Sequence, residues 1–385
     1  MRKMGFGFLR LPQNEDKSIN YDILNPMVDE YFNLGGTYFD TAYTYLNGLS
    51  EQAIKQSVVS RYPRESFILA DKLPGWLVRK QEDNQRYFDE QLERCGVDYF
   101  DVYLIHWLND ANYKVAQKYH QFEFLSQLKK EGKVHKIGFS YHDSPELLDT
   151  ILTQHPEVDY VQLQINYLDW NSPTLQAKQL YEVAMKHHKK IIVMEPVKGG
   201  SLVNVPDRVK EILSAKSDLS IASWAIRFAS SFEEVKIVLS GMNTLAQMQN
   251  NMQEYECLNQ QELILLENMA DIIRENTAIP CTKCGYCLKN CPKHIPIPHY
   301  FEIYNDYSRN PSEDWKMEHL YFSLKEKEAA ASSCIECRMC ERNCPQKINI
   351  THFLKKLRMH LNKKFPLVRE FFCYSKTLYN LSKAS

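Results

Sequence analysis

Eight cysteines fall into two runs of one pattern. Cys281, Cys284, Cys287 and Cys291 precede Pro292, and Cys334, Cys337, Cys340 and Cys344 precede Pro345. Each run reads C-x-x-C-x-x-C-x-x-x-C-P. Thiolates at this spacing suit a four-iron, four-sulfur cluster, with three close cysteines wrapping one cluster corner by corner. Where two such clusters share a chain, the fourth cysteine of each run serves the other cluster. The expected ligand sets are therefore Cys281, Cys284, Cys287 with Cys344, and Cys334, Cys337, Cys340 with Cys291. The competing reading is a pair of structural zinc sites. Zinc sites more often use paired C-x-x-C knuckles than a third cysteine at the same spacing. Cys95, Cys257 and Cys373 lie outside the runs and read as ordinary thiols.

A second group of residues suits carbonyl reduction. Hydride transfer leaves negative charge on a carbonyl oxygen, so the site must offer a proton there. Tyr45 is the candidate donor, and Lys72 is expected to lower its pKa, ordinarily about 10, toward the working pH. Asp40 would hold the lysine charged and in place, and His106 would orient the carbonyl. Taken singly each has a plainer reading: a capping Asp, a core His beside Trp107, one lysine, and one tyrosine among 23 that competes with Tyr43.

These residues need elements to position them. Apolar, β-branched runs alternate with amphipathic ones. The strand-like runs are MGFGFLRL, TYFDTA, SFILADKL, DVYLIHWL, VHKIGFSY, DYVQLQINY, KIIVMEPV and VKIVLSGM. Between them lie helical patterns such as YFDEQLERCG, FEFLSQLKKEG and PELLDTILTQ, and TLAQMQNNMQEY follows the last strand. Eight such pairs with no long antiparallel section predict an α/β fold, a (β/α)8 TIM barrel over residues 1–270. In a barrel, functional residues lie at the C-terminal ends of strands. Asp40, Lys72, His106, Ser140, Glu195 and Ser240 fall at or near such ends. Gln162, Gln164 and Asn166 share one face of the sixth strand by period two.

FDTAYTY, ADK ending in Lys72, and DVYLIHW together resemble the aldo-keto reductase superfamily over residues 1–270, with KIGFSYHD, VQLQINYLD and MEPVKGG in the family's nucleotide-binding strands. The resemblance implies a nicotinamide cofactor, NADPH or NADH, across the barrel mouth. It implies Ser140 and Gln162, with Gln164 as a rival, on the carboxamide. The loop from Ser240 and Gly241 through Gln247 to Asn251 would hold the adenosine end. Three departures stand out. Met194 takes the place of the aromatic that stacks on nicotinamide, Tyr141 follows Ser140 where Asn is frequent, and Gln247 replaces a frequent Arg. No Lys or Arg occurs between Lys236 and Arg274. A 2′-phosphate there would be poorly compensated, so the choice of nucleotide stays open.

Residues 275–355 are expected to form a small, mostly helical domain with two iron–sulfur clusters. The 42 residues between the runs, Pro292 to Ser333, exceed the connection of a compact β-rich ferredoxin. IPHYFEIYNDYSRN and LYFSLKEKEAAA read as helical. The layout resembles the helical two-cluster ferredoxin module of succinate dehydrogenase iron–sulfur subunits and heterodisulfide reductase subunits, and a branch of the aldo-keto reductases has this order of parts. Residues 356–385 form a basic tail read as helical. From Lys355 onward the chain has eight Lys or Arg and one acid, Glu370. The tail either packs with a solvated basic face or docks to an acidic redox partner or anionic membrane surface.

Composition bounds the rest. The 385 residues are 44% hydrophobic and 25% charged, enough for a sizeable core, and the formal net charge of −1 argues against a nucleic-acid binder. No run of about 18 apolar residues predicts an integral membrane segment, and the N-terminal stretch has no apolar core of a secretory signal, so a cytoplasmic location is expected. The expected function is NAD(P)H-dependent reduction of an aldehyde or ketone, with the clusters exchanging electrons with a redox protein partner or the barrel. The alternative is a redox-sensing or partner-docking subunit whose barrel binds nucleotide with little turnover. A hydride carries two electrons and a cluster normally passes one, a mismatch that flavins usually bridge. No flavin fingerprint is present in the sequence, which leaves a flavin supplied by a partner open.

Overall fold

The computed structural model describes residues 3–364 apart from 174, 254–255, 310–319, 322–323 and 326–327. The chain divides into two compact units, Met1–Ile272 and Ile273–Ser385.

In the first unit, eight parallel strands close into a barrel in sequence order. They are β1 (Met4–Gly7), β2 (Tyr38–Asp40), β3 (Ile68–Leu73), β4 (Phe100–Leu108), β5 (Val134–Tyr141), β6 (Tyr160–Gln164), β7 (Lys190–Met194) and β8 (Val235–Ser240). Parallel strands require crossovers, and helices such as Asp83–Cys95, Pro145–Gln154 and Ile221–Ser230 supply them. Ser144 starts one of these helices: its side chain accepts from the Leu147 N–H, and Pro145 follows at the first helical position. Helices Tyr21–Asn33, Asp110–Lys118, Asp207–Ser214 and Gln260–Glu275 have no counterpart in the periodicity reading.

Period two explains the barrel's interior. Tyr38, Ala70, Val102, Leu104, Ile192, Ile237 and Leu239 form one buried cluster. Two residues after Tyr38, Ala70, Leu104 and Ile192 come Asp40, Lys72, His106 and Met194, so the polar groups sit one layer above the apolar plug. On the same inward phase, β5 carries Gly138. A Cβ there would collide with the carbonyl oxygen of Tyr160 and lie 2.9 Å from the Leu104 side chain. The small residue lets its larger neighbours fill the interior.

The second unit joins helices by loops and has no described strand, with Ile297–Arg309 and Ile350–Lys364 as its longer helices. Its core combines Ile279, Ile295, Ile297, Tyr300, Phe301, Ile350, Leu354 and Leu357 with Cys287, Cys291 and Cys340. Asn305 clamps the entry: its Oδ1 accepts from the Ile279 N–H at 2.8 Å, and its Nδ2 donates to the Ile279 carbonyl at 2.7 Å. Of LYFSLKEKEAAA, Leu320, Tyr321, Leu324 and Lys325 are helical, and its positions 322–323 and 326–327 lie outside the described residues. The basic tail is helical through Lys364, and residues 365–385, with Cys373, lie outside the described residues. Among the described residues no helix is long and apolar enough to cross a membrane.

Candidate functional site

At the barrel mouth, β2, β3 and β4 bring four side chains together. Lys72 is fully buried, and its ammonium donates to Asp40 Oδ1 at 2.6 Å and to the Thr41 carbonyl at 2.7 Å. The same nitrogen lies 4.8 Å from the centre of the Tyr45 ring. Tyr45 is placed by the short turn Tyr45–Gly48, where Leu46 and Asn47 take positive φ and swing the chain back over the mouth. The His106 ring meets Tyr45 edge-on at 5.6 Å. Trp76, on the loop after β3, packs 5.1 Å from His106 and 5.5 Å from Trp107. Sequence periodicity gave no sign of Trp76, which stands in a loop with no pattern.

Burial dominates the electrostatics here. It raises the Asp40 carboxyl above its ordinary range, and Lys72 partly offsets this. It holds His106 well below the usual histidine range, with Lys72 and His142 adding to the effect, so the imidazole is neutral and its Nδ1 is buried without a partner. Tyr45 departs from expectation. Burial, helped by Asp40, Asp71 and Glu195, pushes its hydroxyl well above the usual tyrosine range rather than down. Lys72 is engaged by Asp40 and Thr41, and burial keeps the resting Tyr45 a neutral O–H.

The Asp40–Lys72 pair is also structural. Lys72→Met leaves a buried carboxyl without its cation and should destabilise the barrel by about 3–5 kcal/mol. A denaturant midpoint measures this, and adding Asp40→Asn should recover a large part. If Lys72→Met costs nothing, the pair does not bear on stability.

The residues expected to touch nucleotide divide into two groups. Ser140 and Gln162 are buried on the inward face, and Ser140 Oγ accepts from the Trp107 N–H at 2.7 Å, a residue with φ of 62°. Gln162 Oε1 is buried without a partner, an acceptor suited to a carboxamide N–H. Met194 is half-buried beside Gln164 in register. Gln164, in contrast, donates to Asp169 at 2.7 Å. Asp169 also receives Asn166 at 2.8 Å and Lys198 at 2.7 and 2.8 Å, a buried polar knot after β6 and β7 that sequence spacing did not suggest. Beside it, Glu195 takes φ of 56° and lies 3.7 Å from Arg10. After β8, Ser240 Oγ accepts from Asn251 at 3.1 Å, and Gln247 Oε1 accepts from the Asn243 N–H at 2.9 Å. A Cβ on Gly241 would stand 3.2 Å from Arg10, so that glycine leaves room for the arginine.

In the second unit the eight thiols line two separate cavities. Cys281, Cys284, Cys287 and Cys344 line one, with Phe301, Ile348 and Ile350. Cys291, Cys334, Cys337 and Cys340 line the other, with Leu354 and Arg338. Ile297, at the start of its helix, contributes to both walls. Among the described residues no three His, Cys, Asp or Glu side chains close on a point that a single ion would occupy. Four thiols line each cavity, the donor set that a four-iron cluster takes. Burial and the neighbouring thiols push Cys287 well up, and burial with Glu341 and Cys334 pushes Cys340 up to about 11. Without metal these groups stay protonated, so loading releases protons. Outside the cavities, Cys95 is buried, with its thiol 3.6 Å from Asp71, and Cys257 is exposed.

A closed parallel barrel with a buried Asp, Lys, His and Tyr at its mouth has the architecture of a TIM-barrel oxidoreductase. The chain belongs to the Aldo/keto reductase family, whose model matches residues 3–269, and residues 277–348 match the 4Fe-4S dicluster domain. It is 32% identical over 177 residues to an aldo-keto reductase of Mycolicibacterium smegmatis, covering 45% of this chain but only 58% of that protein. It is 30% identical over 201 residues to a glyoxal reductase of Bacillus subtilis, covering 45% of this chain and 68% of that one. A solved aldo/keto reductase from Klebsiella pneumoniae in complex with NADP and acetate shares the fold at 17% identity, with a TM-score of 0.56 over 70% of this chain and 92% of that one.

Proposed function

We propose that the first unit reduces an aldehyde or ketone with NADPH or NADH, and that the second holds two four-iron clusters that exchange electrons with a protein partner. The observation that carries the reductase reading is the buried Lys72 ammonium clasped by Asp40 beneath the Tyr45 ring, with neutral His106 at its edge. Nicotinamide, when bound, supplies the hydride. Gln162 offers its carboxamide a buried acceptor, and Ser140 sits beside it on the same inward face. Tyr45 holds the proton that the nascent alkoxide needs. His106, neutral, orients the carbonyl. Lys72 and Asp40 keep a positive charge fixed under the tyrosine, where it stabilises the charge that develops as the proton leaves.

The raised tyrosine and lowered histidine set a pH dependence. kcat/KM reports groups of the free enzyme. Tyr45 should stay protonated to beyond about pH 10, and His106 neutral down to below about pH 6.5, the ordinary values of the two groups. kcat/KM for carbonyl reduction is therefore expected to be level between those limits. A steep fall between pH 7 and 9 would instead mean that the lysine lowers the tyrosine pKa after all.

The two-electron hydride and the one-electron clusters remain mismatched, and no flavin is needed if the units act on different substrates. The discriminating experiment is anaerobic addition of NADH or NADPH to the loaded protein, followed by visible absorbance and EPR. Cluster reduction on the timescale of turnover would join the two units in one electron path. Carbonyl turnover without it would leave the clusters to a partner. Nucleotide binding without turnover would favour the sensing subunit.

A further inference from the structure

The two cysteine loops share one backbone and present different surfaces. In each, the third and fifth positions turn through positive φ: Lys283 at 56° and Gly285 at 79°, Glu336 at 56° and Arg338 at 58°. The third residue after each final cysteine does the same, His294 at 49° and Lys347 at 51°. With the fold held constant, the side chains between the cysteines become informative. At the second position the first loop has buried Thr282, while the second has Ile335 at 57% exposure. At the sixth, Tyr286 is half-buried and Met339 is 37% exposed. Cys337 is exposed, whereas no cysteine of the other set is. Folding does not require a large aliphatic side chain in water at a position where threonine serves the sister loop.

Exposed cations stand on both rims, but only the second cavity is itself lined by them. Lys293 and Arg338 line the second cavity, and both are exposed. The helix Ile350–Lys364 adds Thr351 and Leu354 to its wall and carries exposed Lys355, Lys356 and Arg358. Against these stand Glu336, exposed, and Glu341, which accepts from Thr351.

We propose that Lys293, Ile335, Arg338 and Met339 form the docking face for an acidic one-electron carrier protein, and that the cysteine set beneath them is the electron port of this chain. The inference rests on the reading that both cavities hold clusters. One electron leaves the reduced carrier and is taken up at the site of Cys291, Cys334, Cys337 and Cys340, with no bond made or broken. Two exposed apolar side chains within a basic rim suit a small, transient interface in which opposite charge sets the encounter rate. A second copy of this chain would bring the same cations against themselves. The chain's own segment 365–385, with Arg369, Lys376 and Lys383 against Glu370, would be repelled as well.

The test uses the full, iron-loaded chain and a reduced flavodoxin, an acidic carrier whose one-electron oxidation is read by its own colour. Lys293→Glu with Arg338→Glu should slow stopped-flow reduction at least about 10-fold at low salt, and the difference should vanish near 1 M salt. Ile335→Ser should slow it at all salt concentrations. Reduction by photoreduced deazaflavin, which is small and uncharged, should be the same in every variant, as should iron and sulfide content. Equal flavodoxin rates in wild type and the charge variant would overturn the docking face, as would a larger loss from Lys283→Glu with Lys347→Glu on the first rim. Wild-type protein that takes up no iron and sulfide would instead remove the cluster reading on which the proposal rests.

Discussion

Replacing Tyr45 by Phe should lower carbonyl reduction by about 10²–10⁴-fold, the range for a positioned proton donor. The change deletes one oxygen from a buried ring, so packing against His106 and over Lys72 is kept. Nucleotide affinity should be nearly unchanged, because none of the residues assigned to nucleotide is touched. Steady-state kinetics with a simple aldehyde, together with a fluorescence titration of NADPH and NADH, reads both quantities. Activity equal to wild type would remove Tyr45 as the acid. Loss of turnover together with loss of nucleotide binding would point to a collapsed mouth instead, and a thermal melt separates that case. The prediction is sharp because the raised pKa leaves a full complement of neutral tyrosine across the working range.

The second large effect concerns which cysteines act together. Cys344→Ser should strip iron from the cavity of Cys281, Cys284 and Cys287, although Cys344 stands in the other run. Cys291→Ser should strip the cavity of Cys334, Cys337 and Cys340. Each variant is expected to lose about half of the iron and sulfide and one of two EPR signals on reduction. A ligand set drawn from one run only would give the opposite correspondence, with Cys344→Ser altering the signal of its neighbours in sequence. Distinguishing the two signals needs a reference, which Cys281→Ser and Cys334→Ser provide. Cys344→Ser should match the first and Cys291→Ser the second. Because the thiols are packed among Phe301, Ile348 and Leu354, loss of either cluster should also lower the stability of the second unit, visible as earlier proteolysis.

Much of the fold was legible because it follows from local periodicity. Apolar, β-branched runs mark β1 through β8, and the period of two puts Asp40, Lys72 and His106 one step above Tyr38, Ala70 and Leu104 on the inward face. Four helices, Tyr21–Asn33 among them, escaped the same reading. The cysteine runs needed no fold at all: residue identity and interval are enough to suggest a four-iron cluster.

Other properties exist only once distant segments meet. No interval in the chain announces that Trp76 will stand against His106, or that Asp169 will gather Gln164, Asn166 and Lys198 into one knot. The latter ties up the Gln164 amide N–H, while Gln162 keeps a bare buried oxygen. The pKa of Tyr45 went the other way from its neighbour's charge because desolvation depends on everything that surrounds a group, and sequence lists only what adjoins it. The exposure of Ile335 against the burial of Thr282 is of the same kind. Two copies of one motif, alike in spacing and in backbone turn, acquire different surfaces from what the rest of the unit packs over them.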